Sequence, residues 1–362
     1  MTKLKEINTA LEKIKKKRMA PGDIKLRSWE QCARNITQLA LAITGKKYKN
    51  TLFLKKKEEV KHYIENLKKK NSDESVSLSK KRLLYMAILV ILSPDRTDIK
   101  RREKKLYKHY SGDFYKLTQE YVDIQTEQKK SIKQDKNWES WDTLLDLQKK
   151  LGIVAKTIIE LKKLTKNKDK YAATRPELKA IQDWVIISLY TLIKPRRLDY
   201  AKMIIVTQAN YNKMTTEEIK SYNYLVIAKK NKMSFSFGKD VQKNKNKNAA
   251  GFMLDCYILT IPSDLQKILT TVLKIKQFTA TKENKRHLLQ DSRRLPIKSD
   301  ILSKQVKKIT AQHLHKNISA SMFRTIYLSD KHQHDIPTLE KQKTAEEMGH
   351  NASCAEKCYT KH

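Results

Sequence analysis

Met203-Ile-Ile-Val206, Tyr224-Leu-Val-Ile-Ala228, Met233-Ser-Phe-Ser-Phe237 and Leu254-Asp-Cys-Tyr-Ile-Leu-Thr-Ile261 are four β-type runs within a short part of a 362-residue chain. Each is brief, rich in β-branched or aromatic residues, and separated from the next by polar, lysine-rich sequence, notably Lys239 to Asn248. On both sides of this block the apolar period becomes helical. Downstream, Ser263-Asp264 and Ser299-Asp300 read as helix N-caps. Two further helices are predicted over Asn317 to Asp330 and Pro337 to Met348, with a terminal one after Gly349. Upstream, Trp138 and Trp141 open a long helix with Leu144, Leu145, Leu147, Leu151, Val154, Ile158 and Leu161 on its buried side, and Pro176 starts another. The fold class that follows is mainly α with a small antiparallel β-sheet, an α+β domain with its sheet inserted early.

The first third of the chain reads as all helix. Residues 1–20 form a basic N-terminal arm in which Leu4, Ile7, Leu11 and Ile14 make one amphipathic stripe, and Pro21-Gly22-Asp23 breaks it off. Residues 21–123 form a helical domain. Trp29, Ala33, Ile36, Leu39, Ala40 and Ile43 keep helical spacing before a stop at Gly45, and Leu83 to Leu92 supplies a central buried helix. Residues 124–137 are polar, nearly devoid of apolar anchors, and read as a linker. The second domain is 138–362.

Composition narrows the function. Lys and Arg number 77 against 39 Asp and Glu, a net charge of +38. Self-repulsion of that size destabilises a compact chain unless a polyanion neutralises it, so nucleic acid is the expected partner, with an anionic membrane surface as the main competitor. The ten-residue run from Leu83 to Leu92 is too short to span a bilayer, so no membrane partner is expected. Met1-Thr-Lys-Leu-Lys opens a charged segment rather than a secretory signal. Cys32, Cys256, Cys354 and Cys358 do not read as a disulfide framework, which points to an intracellular, reducing compartment.

Breaking a phosphodiester without a metal needs a nucleophile, fixed cations on the non-bridging oxygens, and an acid for the leaving hydroxyl. The chain offers these in order. Arg196 lies in Ile193-Lys-Pro-Arg-Arg-Leu-Asp-Tyr200, three residues before Asp199. Lys239 and Lys243 sit on the predicted β-hairpin, Arg324 lies in Ser321-Met-Phe-Arg-Thr-Ile-Tyr327, and Gly349-His350 precedes Tyr359 by nine. Nine residues is about two and a half helical turns, and a phenol with a proton-sharing group in its site can serve as a covalent nucleophile.

That order and spacing resemble the tyrosine recombinase (integrase) family, over roughly 138–362, and are most like integrases of virophages and large DNA viruses. Asn137-Trp138-x-x-Trp141 and the Pro-Arg-Arg-x-Asp-Tyr block carry the finer likeness. The resemblance implies a helical core-binding domain plus a tyrosine-recombinase-type catalytic domain. Tyr359 is then the nucleophile that forms a 3′-phosphotyrosyl bond. Arg196 and Arg324 are the phosphate-holding pair, Lys243 (with Lys239 as second choice) is the acid, and His350 assists proton handling. It further implies four copies of the chain on two duplexes, with no cofactor, ATP or metal, acting on double-stranded DNA in the host nucleus or a viral factory. The chain departs from the family in two places. Ser321 stands where histidine is usual before the second arginine, and only Thr360-Lys361-His362 follow the tyrosine, so protomer coupling is expected to differ. A type IB topoisomerase-like relaxase, or a basic DNA-binding protein without catalysis, are the rival readings. A zinc site from the stripe His350, Cys354, Cys358 and His362, with His332 or His334, is a further rival, although one straight helix cannot wrap four ligands around an ion.

Overall fold

The computed structural model describes residues 9–18, 26–69, 71–93, 104–162, 164, 173–241, 254–275, 286–332, 336–349 and 360–361. The chain divides into two compact units, Met1–Glu127 and Gln128–His362.

In the first unit α1 (Thr9–Arg18), α2 (Leu26–Thr44), α3 (Lys57–Glu65), α4 (Leu78–Leu92) and α5 (Lys104–Thr126) enclose one core. The apolar stripe of α2 is buried through Trp29, Ala33, Ile36, Leu39 and Ala40. Gly45 ends the helix at φ +70°, and its amide reaches back to the Leu41 carbonyl at 2.8 Å. Leu11 is buried in the same core, so part of the stripe read in the basic arm is packed. Of the aromatics on α5, Tyr110 is core and its hydroxyl donates to the Leu54 carbonyl at 2.6 Å, while Tyr115 is exposed.

The second unit opens within the stretch read as a linker. There Ser131 and Gln134 form a reciprocal capping box that starts the short α6 (Ile132–Lys136). Next come α7 (Trp141–Leu161) and α8 (Arg175–Thr191). Gly152 lets these two helices close, because a β-carbon there would lie 2.9 Å from Trp184 Nε1. The buried stripe of α7 is therefore Leu144, Leu147, Leu151, Ala155 and Ile159. Val154 and Leu161, expected on that side, are 51% and 75% exposed. They fall off the helical phase that the Gly152–Trp184 contact sets.

Four strands follow: β1 (Ile204–Thr207), β2 (Asn223–Ile227), β3 (Met233–Gly238) and β4 (Cys256–Thr260), in the order β1-β2-β3-β4. The antiparallel sheet expected from sequence is corrected to a mixed one. β2, β3 and β4 pair antiparallel, but β1 runs parallel to β2. The cause lies between them. α9 (Gln208–Tyr211) and α10 (Thr216–Ser221), the latter with a Thr215–Glu218 capping box, carry the chain back over the sheet before β2 begins. The unit ends in α11 (Ser263–Leu273), α12 (Ser299–Leu314), α13 (Ala320–Lys331) and α14 (Thr338–Glu347). The expected helix after Gly349 lies outside the described residues.

Candidate active site

The segment between α8 and β1 carries Arg196, and α13 carries Arg324. Each side chain is 1% exposed. Arg196 Nε donates to Asp199 Oδ2 at 2.8 Å and Nη1 to the Glu347 carbonyl at 2.5 Å. Arg324 Nη1 donates to the next carbonyl, Met348, at 2.9 Å. Two guanidinium groups 128 positions apart thus meet successive peptide units at the end of α14, just before Gly349-His350. Isolated buried charges would cost several kcal/mol each, so each must be compensated by acceptors held in place. Asp199 and the unpaired carbonyls at a helix C-terminus, which carry partial negative charge, supply that compensation.

Gly349 is demanded by two independent facts. Its φ is +72°, and a β-carbon on it would lie 2.7 Å from Arg196 Nη2. The glycine of the Gly-His pair is therefore the residue that lets the chain pass over the guanidinium.

Aromatic rings set the other side of Arg196. Its Cζ stands 3.9 Å from the Phe237 ring centroid and 5.7 Å from that of Tyr257. Beneath, Tyr200 contacts Tyr190, Phe235 and Phe237 edge-on, with centroids 5.5–6.2 Å apart, and Tyr190 meets Phe323 of α13 at 5.5 Å. The Tyr190 hydroxyl caps the Arg197 carbonyl. Hence Arg197, next to Arg196 in sequence, is fixed through its backbone. Asn223 Nδ2 donates to the Asp199 carbonyl at 2.7 Å while its Oδ1 accepts from the Gly238 amide at 3.1 Å, tying the Arg196 segment to the end of β3. A β-carbon at Gly238 would lie 2.4 Å from the Lys220 carbonyl, so only glycine fits between β3 and the end of α10. Lys239 follows directly, half-buried, its amide donating to the Asp255 carbonyl at 2.9 Å.

The phenols near the pair differ in availability. Burial pushes Tyr200 and Tyr190 far above the ordinary phenol range. For Tyr200 the positive Arg196 and Arg324 oppose that shift and Asp199 adds to it; for Tyr190, Tyr200 and Asp199 add to it and Arg324 opposes it. Both are 0% exposed and cannot meet a substrate. Tyr257 is half-buried and also raised, by burial and then by Glu347, against Arg196.

The sequence-predicted residues thus divide. Arg196, Arg324, Asp199 and Gly349 come together, and Lys239 lies at the end of the strand that bears Phe237. Ser321 is exposed on the first turn of α13, one turn before Arg324. Lys243, His350 and Tyr359 lie outside the described residues. Thr360 and Lys361, immediately after Tyr359, are buried against the far end of α13. The Thr360 hydroxyl is 2.9 Å from His332 Nδ1, and the Lys361 amide donates to Ser329 Oγ at 2.8 Å. Sequence reading missed Phe237, Asn223, Gly238 and the Lys194–Glu347 ion pair at 3.2 Å. Only Phe237 carried a signal, the Phe-Ser-Phe alternation just before Lys239. Among the described residues no group of three or more His, Cys, Asp or Glu could hold a metal ion; all four residues of the zinc reading's stripe lie outside them, and of its two further candidates only His332 is described. Among them, too, no helix is long and apolar enough to cross a membrane.

No protein-family model matches the sequence, and no curated protein matches it. Among solved structures the chain is similar to one titled "Crystal structure of XerA recombinase", at 11% identity and a TM-score of 0.33, covering 98% of this chain and 92% of that one. A likeness so distant assigns nothing, so the reading below rests on the residues of this chain.

Proposed function

We propose that the chain breaks and rejoins DNA strands through a tyrosine ester, as a recombinase or integrase of a virus or mobile element. The observation that carries the reading is the meeting of Arg196 and Arg324 at residues 347–349, with the chain on both sides of 350–359 held by α13. Glu347 and Met348 are bound by the arginines, and Thr360 and Lys361 by His332 and Ser329. Tyr359 and His350 belong to the segment between those anchors.

In this reading the Tyr359 oxygen attacks the scissile phosphorus and its proton passes toward His350 or water. The phosphorus–O5′ bond breaks, and Lys243 or Lys239 protonates the departing 5′-oxygen. The guanidinium donors stabilise the non-bridging oxygens as negative charge builds. The ester keeps the energy of the broken bond, so a 5′-hydroxyl from another duplex can reverse the step without ATP. Four copies on two duplexes, in the host nucleus or a viral factory, are the assembly and setting this chemistry would use.

A nicked suicide substrate tests it. The wild-type chain should give a denaturation-resistant protein–DNA adduct; Tyr359→Phe should abolish it, and Tyr257→Phe, removing the half-buried phenol beside Arg196, should not. An adduct surviving Tyr359→Phe would overturn the assignment. Joining between two marked duplexes distinguishes exchange from simple relaxation.

A further inference from the structure

At the N-terminal end of α8, remote from the arginine pair, the second unit holds a cavity of about 680 Å³. This is within the range of small-ligand sites. Arg196 lies beyond the other end of α8, and a 17-residue helix spans about 25 Å, so the cavity is a separate place. Arg175, Lys179, Arg293, Arg294, Lys304 and Lys308 line it, against a single carboxylate, Asp291. That carboxylate is already committed. It accepts from the amides of Arg293 at 2.8 Å and Leu295 at 3.1 Å and pairs with Arg293 Nη2 at 3.1 Å. Burial alone would raise it, but these donors outweigh burial and hold it below the usual carboxylate range. Lys179 is paired with Asp183. Arg175, Arg294, Lys304 and Lys308 have no ion-pair partner among the described residues. Four like charges converging on one opening repel each other unless an anion joins them.

The walls are pinned, so the cavity is ready-made. Gln182 donates to the Gln290 carbonyl at 2.9 Å and accepts from the Gln290 amide at 3.0 Å, locking the loop to α8; Gln305 donates to Asp183 at 2.8 Å. The floor between the cations is apolar, from Pro176, Leu178 and Ile301. A bare inorganic anion would leave that floor unused. A flat heterocycle carrying phosphates uses both parts.

We propose that this cavity binds a nucleoside phosphate, its ring on the apolar floor and its phosphates across the cationic rim. The ligand is either a free nucleotide or a nucleotide unit of a strand. A strand reaching from here to the arginine pair would span about seven nucleotides at 3.4 Å each.

Lysine acylation read by mass spectrometry on the full chain gives a local test, with ATP, tripolyphosphate and a 5′-phosphorylated single strand as probes. Lys304 and Lys308 should be shielded by ATP at concentrations that leave Lys149 and Lys213 reactive. Tripolyphosphate should shield them less. Arg175→Ala with Arg294→Ala, at exposed positions, should weaken the shielding about tenfold or more, as expected for lost charge-assisted contacts. Shielding by the strand alone would keep the site and name nucleic acid as the source. Uniform shielding of all lysines, none, or equal shielding by tripolyphosphate overturns the proposal. Tyr359→Phe should retain the footprint, so this result is independent of the strand-breaking reading.

Discussion

Replacing Gly349 with alanine puts a methyl group where a guanidinium already is. The backbone term comes first, because φ is +72° and an L-residue in the left-handed region costs about 1–2 kcal/mol. The steric term follows. The new carbon would lie 2.7 Å from Arg196 Nη2, and Arg196 is confined by Asp199, the Glu347 carbonyl and the Phe237 face. Moving it forfeits at least one charge-assisted hydrogen bond, worth about 1.5–3 kcal/mol. The second unit should lose about 2–4 °C in melting temperature for each kcal/mol of destabilisation. If Arg196 stabilises a transition state, its displacement should cost about 10²–10³ in the rate of adduct formation, comparable to losing one oxyanion donor. The assay is single-turnover cleavage of the suicide substrate at a temperature where circular dichroism shows a folded protein. Because Gly349→Ala acts through Arg196, combining it with Arg196→Lys should be strongly non-additive. A folded Gly349→Ala protein with the wild-type cleavage rate, or clean additivity with Arg196→Lys, would refute the reasoning.

Two other tests address the acid and the nucleophile's origin. A substrate with sulfur in place of the bridging 5′-oxygen has a leaving group that needs no proton. It should restore cleavage by whichever of Lys239→Ala and Lys243→Ala removes the acid, and leave the other unchanged; rescue of neither would reject both lysines. Mixing Arg324→Ala with Tyr359→Phe should give no adduct if tyrosine and arginines act within one chain, as the anchoring of Thr360 and Lys361 on the helix of Arg324 supports, whereas restored adduct would show donation between chains.

Which features could be read from sequence follows physical locality. The strand runs of 203–261 and the helical stripes were legible because burial imposes a period on one face. The orientation of β1 was not. It depends on two short helices in a polar connection, though the Thr215-x-x-Glu218 box was there to be read. Val154 and Leu161 were misplaced because a stripe of apolar residues does not reveal which side a glycine brings closest to the next helix. Arg196 and Arg324 stand out through spacing, as does Asp199, but the acceptors on which the two arginines meet are backbone carbonyls, and every residue has one of those. Gly349 was picked out by its place before His350; why it must be glycine needs the position of Arg196.

Asn137 and Trp138 give the second unit a mechanical property. Asn137 Oδ1 accepts from the Asn317 amide at 2.7 Å, and Lys316 Nζ bridges the Trp138 carbonyl at 2.6 Å and Glu139 at 3.0 Å. The turn between α6 and α7 is thereby clasped to the turn that launches α13. Tension arriving along the chain at residue 136 is delivered two residues before the Ser319 cap, at the root of the helix that aims Arg324. A tug on that tether would be felt as a change in aim.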